Sequence, residues 1–64
     1  MRNDIPDRRA ETGESQADLA AAVGVTRQTI NAIERERYDP SLELAFKLAD
    51  HFGCRIEEIF EPAE

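Results

Sequence analysis

The chain is short of the features that mark most function classes. No apolar run among its 64 residues approaches the roughly 20 that a membrane-spanning helix needs, and the N-terminal MRNDIPDRRAE lacks the apolar stretch of a secretory signal. No membrane association is therefore expected. A single cysteine, Cys54, excludes an internal disulfide and fits a reducing compartment, so a cytoplasmic setting is expected. There is no Ser/His/Asp set, no acid pair placed for acid–base work and no glycine-rich phosphate loop. No enzyme is expected, and no cofactor or small-molecule ligand is implied. His51 and Cys54 stand at H-x-x-C spacing, but two ligands are half of a tetrahedral zinc site, and a partner chain would have to supply the rest. The ordinary reading is a surface histidine and a packed cysteine, with no metal site. A metal- or redox-responsive device is the lesser alternative. Repeats, linkers and low-complexity segments are missing too.

Lysine is almost absent. Lys47 is the only one, against seven arginines, and the formal net charge is -6. High acid with little lysine resembles the balance of proteins adapted to high salt, and a small acidic protein with an arginine bias reads the same way. The charge is unevenly spread. Residues 41–64 carry -4, residues 25–40 are neutral, and six of the eight cations lie in the first forty residues. With 41% hydrophobic and 34% charged residues, the chain belongs with folded soluble domains, one small domain over residues 1–64.

Punctuation falls at Pro6, Gly13, Gly24, Pro40, Gly53 and Pro62. The segments between have helical length and no sustained period-2 alternation, so the fold class is all-α with five helices. The first should run from Asp4 or Ile5 to Thr12. In SQADLAAAVG, Ser15 is an N-cap, Asp18 completes a capping box, and Leu19, Ala20 and Val23 face inward. Thr26 caps a third helix from Arg27 to about Arg35 that buries Ile30 and Ile33. Ser41 caps a fourth, whose Leu42, Leu44, Ala45, Phe46, Leu48, Ala49 and Phe52 wrap more than one face and suggest a central element. A short fifth, about Ile56 to Phe60, closes the chain.

Two short helices joined at Gly24-Val25 match a helix-turn-helix over about residues 15–35. The uncommitted face of its second helix presents Arg27, Gln28, Thr29, Asn31 and Ala32, with Arg35 near the end. Such a face enters a major groove N-terminus first. In SQADLA, GVTRQTINAIE and YDPSLELAFKLA the chain resembles the DNA-binding domains of the lambdoid phage repressor and Cro family, the XRE type, in a minimal single-domain version. The resemblance spans nearly the whole sequence. It implies a compact lambda-repressor-like fold and a transcriptional regulator that reads double-stranded DNA as a homodimer.

The resemblance also implies roles. Gln16 touches a phosphate and braces the recognition helix, and Thr26 caps that helix and reaches phosphate. Arg27 and Gln28 read bases, Arg suiting guanine and Gln adenine. Thr29 and Asn31 are secondary readers, and Ala32 is left a thymine methyl. Arg35 and Arg37 grip the backbone, or else pair with Glu36 and Asp39. Arg9 and Glu34 form a structural ion pair. Phe52, Cys54, Ile56, Ile59 and Phe60 either cap the core or supply the dimer interface, and the interface is preferred. A rival function is a protein-interaction module of antitoxin or anti-repressor type.

Two positions depart from the family pattern. Glu14 stands where an apolar residue packs beneath the second helix. It should turn to solvent or weaken packing by the burial of about one leucine, roughly 1.5–3 kcal/mol. Glu36 stands where glycine ends the recognition helix, and a non-glycine residue held at positive φ costs about 1 kcal/mol.

Overall fold

The computed structural model describes residues 1–62. Five helices follow in order: α1 (Ile5–Thr12), α2 (Gln16–Val23), α3 (Arg27–Glu34), α4 (Leu42–Phe52) and α5 (Ile56–Ile59). Their starts obey local chemistry. Ser15, Thr26 and Ser41 each accept a hydrogen bond from the backbone N–H three residues on. Pro6 sits in the first turn of α1, where its missing N–H costs nothing.

The core is assembled from the inward stripes: Ile5, Leu19, Ala20, Val23, Ile30, Ile33, Leu44, Ala45, Leu48, Ala49, Ile59 and Phe60. Ile5, Leu19, Ile30, Ile33 and Leu48 are sealed completely. Truncating any one of them to alanine costs about 2–5 kcal/mol. That is comparable with the whole margin of so small a domain.

One element adds to the helical expectation. Arg2–Asn3 (β1) pairs antiparallel with Phe60–Glu61 (β2), with Arg2 opposite Glu61 and Asn3 opposite Phe60. The last helix accordingly stops at Ile59, and Phe60 is extended. Two-residue strands are too short to show alternation in a sequence, so no pattern announces them. They nevertheless join the ends of the described chain. Asp4 donates its backbone N–H to Ile59, and Arg8 reaches the Glu58 carbonyl at 3.3 Å.

The expectation for α4 needs correcting. It buries one face only, and Leu42 and Phe46, one turn apart, remain 69% and 58% exposed. Leu44, Ala45, Leu48 and Ala49 are enough to meet the other helices, which leaves the second apolar stripe uncovered.

The helix ends share one closure. After α1, α2, α3 and α4 the backbone N–H of Glu14, Val25, Arg37 and Cys54 returns to the carbonyl five residues earlier, at 2.9–3.0 Å. This closure needs a left-handed residue just before the donor. Three of the four are glycine; after α3 it is Glu36, at φ 62°, the one non-glycine with positive φ among the described residues. The closure is thus kept at a backbone cost that glycine would not incur. Glu36→Gly should therefore raise the unfolding free energy by about 0.5–1 kcal/mol, after allowing for glycine's freer unfolded state. A shift of the urea midpoint to higher concentration, with unchanged slope, is the expected reading.

Candidate nucleic-acid interface

The turn between α2 and α3 sets the geometry. Ser15 and Asp18 exchange both bonds of a capping box, at 2.9 and 3.1 Å, which fixes where α2 begins. Gly24, at φ 79°, turns the chain, and Val25 then returns its N–H to Ala20. Ala20 is buried and small, so α3 approaches α2 closely at this point. Thr26 then caps α3, its Oγ1 accepting from the Thr29 N–H at 3.2 Å and lying 3.1 Å from the Thr29 hydroxyl.

Beneath the helix pair lies a polar network. Arg9 of α1 donates to both carboxylate oxygens of Glu34, from Nε at 2.7 Å and from Nη2 at 3.1 Å. Its third donor, Nη1, reaches the Glu14 carbonyl at 3.1 Å. The Glu34 side chain is 7% exposed and that of Arg9 19%. The hydrogen bond to Glu34 raises the Arg9 pKa further above its ordinary value, against the opposing effect of burial. From α2, Gln16 Nε2 donates to Glu34 at 2.8 Å, and Gln16 Oε1 lies 3.5 Å from the Asn31 amide nitrogen. Gln16 is thus placed as a brace between two positions of α3. Asn3 adds a contact that sequence reasoning missed. Its side-chain amide donates to the Ile33 carbonyl at 2.9 Å, at the end of α3. No sequence signal marks it, because the contact depends on β1.

Arg27, Gln28, Arg35 and Arg37 are exposed, and Thr29, Asn31 and Ala32 are half-buried beside them. Charge pairing sets this surface apart. Arg2, Arg8, Arg9, Lys47 and Arg55 each have a carboxylate within 4 Å. Among the described residues Arg27, Arg35 and Arg37 do not, and all three lie on α3 or just after it. Asp39, one candidate partner for them, instead pairs with the N-terminal amine of Met1 at 3.2 Å. The same asymmetry runs along the helix starts. α1, α2, α4 and α5 carry acids in their first turns, where the helix dipole favours them, and α3 carries none. The positive end of α3 is left unneutralised.

Comparison with known proteins fits this arrangement. The helix-turn-helix family profile matches residues 7–59. The chain belongs to the XRE-type helix-turn-helix family. Over 60 residues it is 55% identical to an uncharacterized HTH-type transcriptional regulator of Methanocaldococcus jannaschii, covering 94% of this chain and 91% of that one. It is 47% identical to the uncharacterized HTH-type transcriptional regulator YgzD of Bacillus subtilis, with the same coverage. The restriction-modification controller protein C.AhdI of Aeromonas hydrophila superposes with a TM-score of 0.76 at 31% identity, over 86% of this chain and 80% of that one. The fold is the lambda-repressor-like helix-turn-helix domain, and the chain is a DNA-binding transcriptional regulator.

Within this family fold Glu14 acquires definite surroundings. Glu14 neither turns fully to solvent nor sits unpaired. Its Oε2 meets His51 Nε2 of α4 at 2.7 Å, and its Oε1 accepts from the Thr12 hydroxyl at 2.8 Å. His51 is therefore engaged in joining α4 to the turn before α2, and its ring also packs edge-on against Phe52. Cys54 is half-buried against the core, and burial pushes its thiol above the ordinary range, with nearby Arg8 pulling the other way. A raised value keeps the thiol protonated and unreactive at neutral pH. Cys54 should consequently react with iodoacetamide several-fold more slowly than free cysteine at pH 8. Its rate should keep rising with pH beyond the point at which that of a free thiol levels off. A fast reaction at pH 7 would contradict this placement.

Proposed function

We propose that this regulator recognises specific double-stranded DNA sites by inserting the N-terminal half of α3 in the major groove, and that it does so as a homodimer. The observation that carries the reading is the segregation of charge. In a chain of net charge -6, the arginines without carboxylate partners among the described residues are Arg27, Arg35 and Arg37, around an α3 terminus free of acid. The potential at the docking face, not the net charge, governs approach to phosphate. Arg27 and Gln28 are the leading base readers, with guanine and adenine as their natural targets. Thr29 is a lesser one. Gln16 and Thr26 stand where the backbone passes the start of α3, and Arg35 and Arg37 where it passes the end.

Support for a second copy comes from α4. Ile59 and Phe60, expected among the intersubunit residues, are buried in the core of the chain itself, and Phe52, Cys54 and Ile56 only partly accessible. Leu42 and Phe46 offer the larger exposed apolar surface. Glu43 and Lys47 flank them one turn apart. Two α4 helices crossing antiparallel near residue 45 would bring Phe46 against its counterpart and set each Glu43 level with the other copy's Lys47. The surface is therefore complementary to itself, as a two-fold contact requires. Half-sites about one helical turn apart would follow.

Two measurements test these assignments. Arg27→Ala should lower discrimination between selected and scrambled duplexes by roughly tenfold to a hundredfold. Arg37→Ala should weaken both alike and reduce the salt slope of log K by about 0.9. Equal discrimination by Arg27→Ala and wild type would refute the groove assignment. Separately, sedimentation equilibrium should show a concentration-dependent dimer that Phe46→Glu converts to monomer with unchanged helicity. A Phe46→Glu chain that still dimerises would remove α4 from the interface.

A further inference from the structure

We infer that Asn31 is a specificity-determining residue that reads adenine, and that Glu34, acting through Gln16, is the positioning residue that turns its amide the right way. The inference rests on the groove assignment above. It adds a base class for Asn31 and a cause for its orientation.

The argument is one of hydrogen-bond polarity. A primary amide has a donor end and an acceptor end of nearly equal shape, so a lone asparagine at a groove has two orientations of similar energy. A carboxylate does not share this ambiguity, because when ionised it only accepts. Glu34 is held by two bonds from Arg9, and its side chain is 7% exposed. The group of Gln16 that lies 2.8 Å from Glu34 Oε1 must therefore be its NH2. The carbonyl end of Gln16 is then directed away from Glu34, and the group it meets on Asn31 must also be an NH2. Polarity passes from the buried ion pair to the exposed helix face in two steps.

The result at Asn31 is a defined pattern. One N–H points to Gln16, while the second N–H and Oδ1 have no other partner among the described residues. Asn31 lies one turn beyond Arg27 and three residues beyond Gln28, on the same exposed side of α3. A donor and an acceptor side by side match N7 and the N6 amino group of adenine in the major groove. The link from Gln16 to Asn31, at 3.5 Å, is the longest of the chain. It biases the amide without locking it, so the side chain can still settle on a base. Without the relay, half of the amide orientations would oppose a donor to the N6 amino group.

The test is selection from a pool of randomised duplex DNA, performed with the full chain and three variants. The wild type should select at least one adenine per half-site whose preference falls tenfold to a hundredfold in Asn31→Ala. Gln16→Met and Glu34→Gln should weaken the same position several-fold and leave the preference set by Arg27 in place. A purely structural role for Glu34 would lower all positions together. Gln16→Met keeps the Arg9–Glu34 pair, so it decides the matter if Glu34→Gln fails to fold, as judged by its melting curve. An adenine preference unchanged in Asn31→Ala, or unchanged in Gln16→Met, overturns the inference. A wild-type chain that selects no sequence at all overturns the groove assignment first, and this inference with it.

Discussion

The pairing of Arg9 with Glu34 is the interaction on which the rest of this structure is arranged. It joins the first helix to the last residue of the third, and through Gln16 it takes in the second. A pair so little exposed costs desolvation and stabilises the fold less than its distances suggest. Its value lies in specification. Three helices of eight residues each cannot define their mutual angles by a handful of aliphatic contacts alone, and a bidentate guanidinium–carboxylate contact has a fixed plane. The recognition helix is thereby set at one rotation about its own axis. That rotation decides which side chains face outward and which meet the core.

The same arrangement resolves the conflict between an acidic chain and a polyanionic ligand. Several acids cap helices, pair with arginines remote from α3, or engage His51, as Asp18, Asp4 and Glu14 do. Arg27, Arg35 and Arg37 have no carboxylate partner among the described residues. The protein does not need an overall positive charge, because screening in salt limits what distant carboxylates contribute at the docking face. Glu36 runs against this arrangement: it is an exposed acid between Arg35 and Arg37, at a backbone angle that favours glycine. It lowers the positive potential around Arg35 and Arg37 and costs stability as well.

Much of this was legible in the sequence, for identifiable reasons. Caps such as Ser15, Thr26 and Ser41 act within one turn, so their residue types alone place helix starts to within a residue. The positive φ at Glu36 was readable from its place in the family pattern. What escaped were contacts between distant segments. Asn3 on Ile33 and His51 on Glu14 join residues 30 and 37 positions apart, with no local signature at either end. The exposure of Leu42 and Phe46 escaped for a related reason. Periodicity says that a stripe is apolar; only the packed positions of the other helices say whether anything covers it. The destination of Ile59 and Phe60 is the same lesson reversed, since apolar residues that suit an interface equally suit a core.

The short pairing of β1 with β2 bears on when the DNA-reading unit comes into being. Asn3 supports the end of α3 from β1, and β1 exists only by pairing with Phe60–Glu61. Ile59 and Phe60 also belong to the buried core. During synthesis, then, a nascent chain that already contains all of α3 still lacks the support that Asn3 gives its end and two residues of the core. The C-terminal end of α3 therefore gains its support only after Phe60 and Glu61 have been added, so the geometry of this helix is completed late in synthesis rather than when its own residues emerge.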